Sequence, residues 1–470
     1  MVLYHIDKHL SFYYNRIGMD EDKKKDSNTS LSDDNKKKHR KLKIYLTTIG
    51  SLFIIVCTII YLTYLFTHRD SNRNPTSKVD NSNIQLIQKN LLDGFKNTKE
   101  TGKYSFRISD EDINQILLNS CDDLLSGKEE SCYISSDTST FYVDYKPTLG
   151  VKTRVQYKFN NYGVNTLNEH FFILEDVPKM GSLPYMFGHR INFESFIKEV
   201  SKNSGLPLRW ENAMLVASPV KLFDYFPSED IKSFMKGLIS AKPECILVDP
   251  NSLFGFDINL SLFKSNNIPT KEVSELLPDL YSQVSGSITP EFLSSIPSKE
   301  SKEACILKVS DINKLISSKF TKKVIGHASL DLSDVEVILE VNDLYVSLLD
   351  TGHLTFVMPV SINGYMIYFI NNSNITTSPN EMIMEIELSN TPTLNGLEIK
   401  GSYLGDVVIS ELSSVLTSVS SGYSYLSFVD GNKTWYFDFN DIITSILYEG
   451  SITPIVGEPS GFSVIVTSKI

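Results

Sequence analysis

The feature that most constrains this chain is an uncharged apolar segment at residues 44–66, IYLTTIGSLFIIVCTIIYLTYLF. A helix rises about 1.5 Å per residue, so a segment of this length crosses a hydrocarbon core of roughly 30 Å. A buried core helix is the alternative, but such helices rarely run this far without a charge. A cleaved signal peptide fits poorly, because the stretch is too long, begins too late and lacks a small-residue cleavage site. We therefore predict one transmembrane helix, an uncleaved signal anchor.

Basic residues are unevenly distributed around this segment. Lysines and arginines are denser before it than after it, at Lys36, Lys37, Lys38, Arg40, Lys41 and Lys43 against Arg69, Arg73 and Lys78. Positively charged flanks stay on the cytoplasmic side of a membrane. The asymmetry predicts that residues 1–43 are cytoplasmic and that residues 67–470 are extracytoplasmic.

The regions next to the apolar segment are strongly polar. The tail, residues 1–43, is largely too polar to bury a core, and we expect most of it to be disordered. Its lysine cluster is open to two interpretations, a site for anionic lipids or, as we favour, a topology signal alone. Residues 67–101 are rich in Asn, Ser, Lys and Asp and predict a polar stalk.

The predicted outer region is acidic. Of 45 basic and 56 acidic residues, 11 and 7 lie before residue 67, which leaves 34 basic and 49 acidic residues outside. A surface with this balance repels polyanions. We therefore exclude nucleic acid as a partner and expect the partners to be the membrane itself and a lipid or a membrane protein.

Beyond the stalk, one pattern occurs twice, at residues 102–263 and 304–470, with a proline-containing linker at 264–303. Each copy opens with a short strand, an expected N-cap serine (Ser109 or Ser310), Asp-Ile-Asn and an apolar helix. Alternating strands, a Pro/Gly turn, an amphipathic helix, further strands and a final Gly-Phe strand follow. We predict an α+β fold, in which one transmembrane helix precedes two tandem copies of a curved antiparallel sheet packed on short helices.

The amphipathic helix of the first copy supplies the candidate binding face. Its apolar residues recur at helical spacing, at Phe193, Phe196, Ile197 and Val200. Such stripes are more often core than binding surface. Two interpretations remain open: an imperfect fit between helix and sheet leaves a groove for a lipid or a partner's apolar segment, and a full fit makes the copy a packed scaffold.

The chain resembles the YpmS-like family of bacterial membrane-anchored envelope proteins. The matching helix motifs are Ser109, Ile113, Asn114 and Ile116 in the first copy and Ser310, Ile312, Asn313 and Leu315 in the second. A Leu-Pro turn and a strand entered through an aromatic residue also fit, at Leu183, Pro184, Pro207 and Trp210. The resemblance covers the first copy well, the second loosely and the linker not at all. It implies an envelope location and a small outer α+β domain, here doubled, and no defined activity.

Four cysteines lie in the predicted outer region, at Cys121, Cys132, Cys245 and Cys305. An even count permits two disulfides in an oxidising compartment, and the spacing favours Cys121 with Cys132 and Cys245 with Cys305. Four reduced thiols are the alternative. The absence of a CxxC pair argues against a zinc site or a thioredoxin-type centre.

Catalytic motifs are missing from the sequence. The outer histidines, His170, His189, His327 and His353, form no HExxH motif, and no GxSxG, P-loop or GxGxxG pattern occurs. We expect no enzymatic activity, cofactor or metal.

We expect instead a membrane-tethered module of the cell envelope that binds an apolar ligand, a lipid or a membrane-protein partner through the sheet–helix groove. The alternatives are an envelope hydrolase or transferase and a pure scaffold without a groove.

The charge asymmetry generates a test of topology. We expect protease added to intact cells to remove residues 67–470 and to spare the tail, because the basic flank holds residues 1–43 inside. An immunoblot with antibodies to each end measures this. Digestion of the outer region only after lysis would reverse the predicted orientation.

Overall fold

The computed structural model describes residues 32–67, 82–121, 129–135, 140–145, 153–175, 177–180, 183–184, 191–249, 252, 254–276, 286, 288–378, 382–399, 403–439, 448–457 and 459–470. The chain divides into two compact units, Met1–His68 and Arg69–Ile470. Both predicted copies lie in the second unit.

The apolar segment of the first unit is helical. Helix α1 (Ser32–Thr67) contains the stretch Lys37–Leu62, whose most apolar 18-residue window has a mean hydropathy of 2.1, and it is long and apolar enough to cross a membrane. Its hydroxyl groups donate to carbonyl groups one turn earlier, as Thr48 does to Ile44 at 2.6 Å and Thr58 to Ile54 at 2.7 Å. These polar groups therefore need no water.

The first copy combines helices with short strands. Its helices are α2 (Asn83–Asp93), α3 (Thr98–Thr101), α4 (Asp110–Cys121), α5 (Phe193–Ser204) and α6 (Glu229–Ala241). Its strands are β1 (Lys103–Phe106), β2 (Glu129–Ser135), β3 (Thr140–Tyr145), β4 (Thr153–Val164), β5 (His170–Leu174), β6 (Lys179–Met180), β7 (Leu183–Pro184), β8 (Leu208–Glu211), β9 (Met214–Ala217), β10 (Ile246–Val248) and β11 (Phe256–Asn259). Short 3₁₀ helices span Pro219–Tyr225, Pro243–Cys245 and Leu260–Phe263.

The second copy follows the short linker helix α7 (Pro290–Ser294). Its helices are α8 (Val309–Lys319) and α9 (Tyr403–Ser420). Its strands are β12 (Ser301–Lys308), β13 (Lys323–Ala328), β14 (Val337–Val341), β15 (Tyr345–Leu348), β16 (His353–Ile362), β17 (Tyr365–Ser378), β18 (Ile383–Glu387), β19 (Thr393–Leu394), β20 (Leu397–Glu398), β21 (Leu426–Val429), β22 (Thr434–Asp438), β23 (Tyr448–Ile455) and β24 (Gly461–Ser468).

Sheet topology confirms the predicted α+β fold with two tandem copies. The opening and final strands form a small antiparallel sheet in each copy, in the orders β1-β11-β10 and β12-β24-β23. The large curved sheets also correspond, with β2-β3-β4-β5-β9-β8 matching β14-β16-β17-β18-β22-β21. Even the side hairpins correspond, because β6 and β7 lie beside β4 as β19 and β20 lie beside β17. The second copy adds β13 and β15.

The two copies share one hydrophobic core. Helix α6 of the first copy packs against β13 and α9 of the second, and the Phe234 ring meets Phe369 edge-on at 6.5 Å. Gly326 of β13 leaves room for this helix, since a Cβ there would lie 3.3 Å from Ile231. The side-chain amide of Asn363 donates to the Phe95 carbonyl oxygen at 3.1 Å. The copies are therefore joined by packing as well as by the linker.

The predicted stalk is shorter than residues 67–101. Ser82 is the N-cap of helix α2 and forms a capping box with Gln85. The helix buries Leu86, Ile87 and Leu91 in the core. The prediction was wrong from residue 83 onward, because the polar residues of this segment cover the solvent side of an amphipathic helix.

The helices after the opening strands begin differently. Ser109 caps α4 as predicted, since its hydroxyl accepts from the Asp112 amide at 3.1 Å. Ser310 is not an N-cap, because α8 already begins at Val309. The Val309 amide donates to the carbonyl oxygen of Ser460 at 3.0 Å, which satisfies one of the free amides at this helix start.

One of the two predicted disulfides is contradicted. Cys245 is a buried free thiol beside β10, whereas Cys305 belongs to β12 in the small sheet of the other copy. Burial raises the pKa of the Cys245 thiol to about 12. The side chains of Cys121 and Cys132 lie outside the described residues, so their pairing stays a prediction.

The final strand of each copy begins with a glycine for a steric reason. A Cβ at Gly461 would collide with the backbone carbonyl oxygen of Leu307 on the paired strand β12, and one at Gly255 would lie 2.6 Å from Ser252. Gly461 therefore lets β24 approach β12 closely, whereas Gly255 leaves space for Ser252 of the turn that precedes β11.

We expect Gly461→Ala to lower the free energy of unfolding by about 2–3 kcal/mol, because the backbone of β12 must shift to admit the methyl group. The midpoint of thermal unfolding measures this. Gly431→Ala is the control, since no atom lies within 4 Å of its Cβ position. Equal melting of both variants would contradict the close-approach explanation.

Candidate functional site

The predicted groove helix is packed against the sheet. Phe193, Phe196, Ile197 and Val200 are all buried on one side of α5. The Phe193 ring lies 5.0 Å from Tyr157 and stacks at 5.6 Å on Trp210. Phe196 lies 5.2 Å from Phe141. These aromatic contacts fill the sheet–helix interface around the predicted face.

The helix is positioned at both ends by its own sequence. Asn192 caps it by accepting from the Ser195 amide, and Gly205 ends it in the left-handed conformation at φ 75°. The corresponding helix of the second copy, α9, also packs an apolar face inward. Its Val408, Leu412 and Val419 are buried in the shared core.

Exposed apolar side chains gather instead on the hairpin formed by β4 and β5. We call residues 162–177 the apolar hairpin. Tyr162 and Leu167 are each 70% exposed, and Val164, Ile173 and Val177 are also exposed. Elsewhere in the described residues of the second unit, most exposed large apolar side chains are well separated in sequence. Tyr162 and Leu167, the two most exposed of these residues, lie towards the loop end of the hairpin and are the candidate binding surface.

The loop that carries Leu167 is held in one conformation by its own hydrogen bonds. The Asn165 side-chain oxygen accepts from the amides of Leu167 at 2.9 Å and Glu169 at 3.0 Å. The Asn165 amide donates to the Glu169 carbonyl oxygen at 3.1 Å, and Asn168 takes the left-handed conformation at φ 57°. The apex of the hairpin is therefore a defined turn.

A partly buried ion pair fixes the base of this loop. The Glu169 carboxylate accepts two bonds from the Arg209 guanidinium, at 2.7 and 2.9 Å, and one from the Ser218 hydroxyl at 2.6 Å. The bond from Arg209 is the largest cause that lowers the pKa of Glu169 to about 2, against the opposing effect of burial. The pKa of Arg209 is raised in turn by Glu169. This bidentate pair ties the hairpin to β8 and to the turn after β9.

His170, the next residue, is fully buried. Its imidazole lies parallel to the Phe172 ring at 5.5 Å, and within the described stretches of the chain neither ring nitrogen has a hydrogen-bond partner. Burial lowers its pKa to about 4, and the nearby Asp249 carboxylate opposes this shift. A neutral imidazole is therefore the folded form near pH 7.

The other described histidines lie on the surface. His327 Nε2 pairs with Glu336 at 2.6 Å and His353 Nδ1 with Asp350 at 2.9 Å, all with exposed side chains. His189 lies outside the described residues. In the ranges that the structure describes, no three His, Cys, Asp or Glu side chains come together as a metal-ligand set.

Sequence reasoning missed the apolar hairpin. Tyr162, Val164 and Leu167 look like strand and core residues in an alternating pattern, and only the fold leaves them exposed. The Asn165–Asn168 spacing, with a leucine between two turn-forming asparagines, was the available signal. The pairing of Glu169 with Arg209 has no local signature.

A comparison of the chain with protein-family models, curated proteins and solved structures gives no match. The resemblance to the YpmS-like family therefore rests on its short motifs alone.

The lowered pKa values of His170 and Glu169 predict that stability is lost in two separate pH windows. The unfolded His170 has a pKa near 6.5 and the folded one about 4, so its stabilising contribution is complete above pH 6.5 and falls by up to about 3 kcal/mol towards pH 4. The contribution of Glu169 is complete above its ordinary pKa of 4.5 and is lost towards pH 2.

We expect His170→Phe, whose ring keeps the stacking on Phe172, to flatten the fall of the melting temperature between pH 6.5 and pH 4.5. Leu349→Phe, which places a phenyl ring at an exposed site and removes no titratable group, should leave the wild-type slope unchanged. Identical slopes in wild type and His170→Phe would refute the role of His170.

Proposed function

We propose that this chain is a membrane-tethered, extracytoplasmic and non-enzymatic module that binds a protein partner through the apolar hairpin. The observation that carries the proposal is the exposure of Tyr162 and Leu167 on a loop held by the Asn165 turn and the Glu169–Arg209 pair. Preorganised apolar side chains bind with less loss of conformational entropy than mobile ones.

Local charge favours a protein pocket over a membrane surface. Lys158 and Lys179 both pair with Glu175, and Arg209 pairs with Glu169 and Glu211. The charges beside the hairpin are therefore compensated within the chain. An outer region with 34 basic and 49 acidic residues is also repelled by anionic lipid headgroups. An uncharged apolar cavity of another protein is the occupant that this surface fits best.

The filled interface around α5 supports moving the binding site from the predicted sheet–helix groove to the hairpin. A lipid at the groove would have to displace Phe193 from its contacts with Tyr157 and Trp210. The envelope location rests on the helix α1 and on the basic flank before it. No observation in the described residues favours the hydrolase or transferase alternative.

Site-specific photocrosslinking in intact membranes tests the proposal. We expect a photoreactive residue in place of Leu167 to give one discrete protein adduct, because that side chain would enter the partner's cavity. The matched control is Leu349, which is 57% exposed in the second copy and should give none.

A second arm uses the aspartate variants. Leu167→Asp should weaken the complex about tenfold to thirtyfold without changing the melting temperature, whereas Leu349→Asp should do neither. Adducts to lipid alone would assign the hairpin to a membrane surface. The absence of any adduct at position 167 would leave the scaffold alternative and refute the proposal.

A further inference from the structure

The beginning of the linker crosses the second copy as an extended strap. We define the strap as residues 269–274. Residues 271–276 are not helical. Five residues of the second copy make polar contacts with this strap: Ser310, Asn313, Asp343, Tyr345 and Ser460.

These contacts follow the strap residue by residue. The Tyr345 hydroxyl donates to the Pro269 carbonyl oxygen at 2.9 Å. The Lys271 ammonium donates to both oxygens of Asp343, at 2.9 and 2.7 Å, and lies 5.8 Å from the centre of the Tyr345 ring. The strap is thus recognised through its backbone and through the positive charge of its lysine.

The glutamate that follows is recognised twice. The side-chain amide of Asn313 donates to the Glu272 carbonyl oxygen at 2.8 Å. The backbone amide and the hydroxyl of Ser460 both donate to the Glu272 carboxylate. Asn313 and Ser460 are almost fully buried. The other contacts of the Asn313 side chain are to the amide and carbonyl of Val346, which fix its direction. A buried donor aimed at an extended segment is a built recognition group.

The strap is held by polar contacts and little apolar burial. Val273 is 57% exposed and Leu276 is 79% exposed, and the side chains of Lys271 and Asp343 are both partly exposed. An attachment of this kind opens locally at lower cost than the core, and salt weakens it. Asp343, Tyr345, Asn313 and Ser460 would remain in place when the strap leaves.

We propose that the second copy carries a peptide-recognition groove, occupied here by the chain's own strap. The groove reads the pattern Pro-x-Lys-Glu in an extended conformation, and its external ligand is an extended segment of a partner protein with that pattern. The strap is then an autoinhibitory ligand. This site is independent of the apolar hairpin, which belongs to the first copy.

The test uses the full-length chain in detergent and a labelled peptide of residues 266–276. The variant Lys271→Glu with Glu272→Lys places the wrong charge at each contact and should release the strap. Because a tethered ligand competes at roughly millimolar effective concentration, we expect the peptide to bind this variant about tenfold or more tightly than it binds wild type. A peptide with the lysine and glutamate exchanged should not bind, and Asp343→Lys in the same variant should abolish binding. A folded variant that does not bind the peptide would overturn the proposal.

Hydrogen exchange on the unmodified chain covers the case in which the variant does not fold. The strap amides, including that of Ser274, which donates to the Ser310 carbonyl oxygen, should exchange about a hundredfold faster than those of β16. Added salt should increase this difference. Exchange of the strap only together with β16 would show a fixed structural element and would also overturn the proposal.

Discussion

The pairing of the first strand of each copy with its last strand is the interaction on which the rest of the fold depends. Lys103 lies opposite Asn259, and Ser301 lies opposite Thr467. Each pairing closes a very long loop, which is entropically costly, and burial of rings such as Phe106 on Phe256 at 5.0 Å offsets that cost. Everything between the paired strands is thereby confined to one compact copy.

Packing between the copies joins them into a single mechanical unit. Helix α6 covers the sheet of the neighbouring copy, and the strap carries the chain across the second copy through fixed polar contacts. A partner bound at the apolar hairpin and one bound at the strap groove would therefore meet surfaces of the same shared core. Each surface can be altered without touching the other.

Much of the fold was predictable, and the sites were not. Alternation of apolar residues, the Asp-Ile-Asn helices and the final Gly-Phe strands predicted both copies, because each pattern reflects a local periodicity. Exposure of Leu167 and the pairing of Glu169 with Arg209 depend on residues that are distant in sequence. Periodicity identifies the residues that avoid water, but it does not identify those that the fold leaves uncovered.

Two nearly identical pentapeptides take different conformations, which shows where the sequence alone stops and tertiary structure decides. The linker contains Ile-Pro-Thr-Lys-Glu at 268–272 and Ile-Pro-Ser-Lys-Glu at 296–300. The first forms the extended strap, whereas in the second Lys299 is left-handed at φ 58° and its amide donates to Ile470. The sequence alone determined the apolar helix, the strands and the duplication, since these follow from periodicity and length. Only the surrounding contacts chose between strap and turn, because each pentapeptide takes the conformation that its neighbours stabilise.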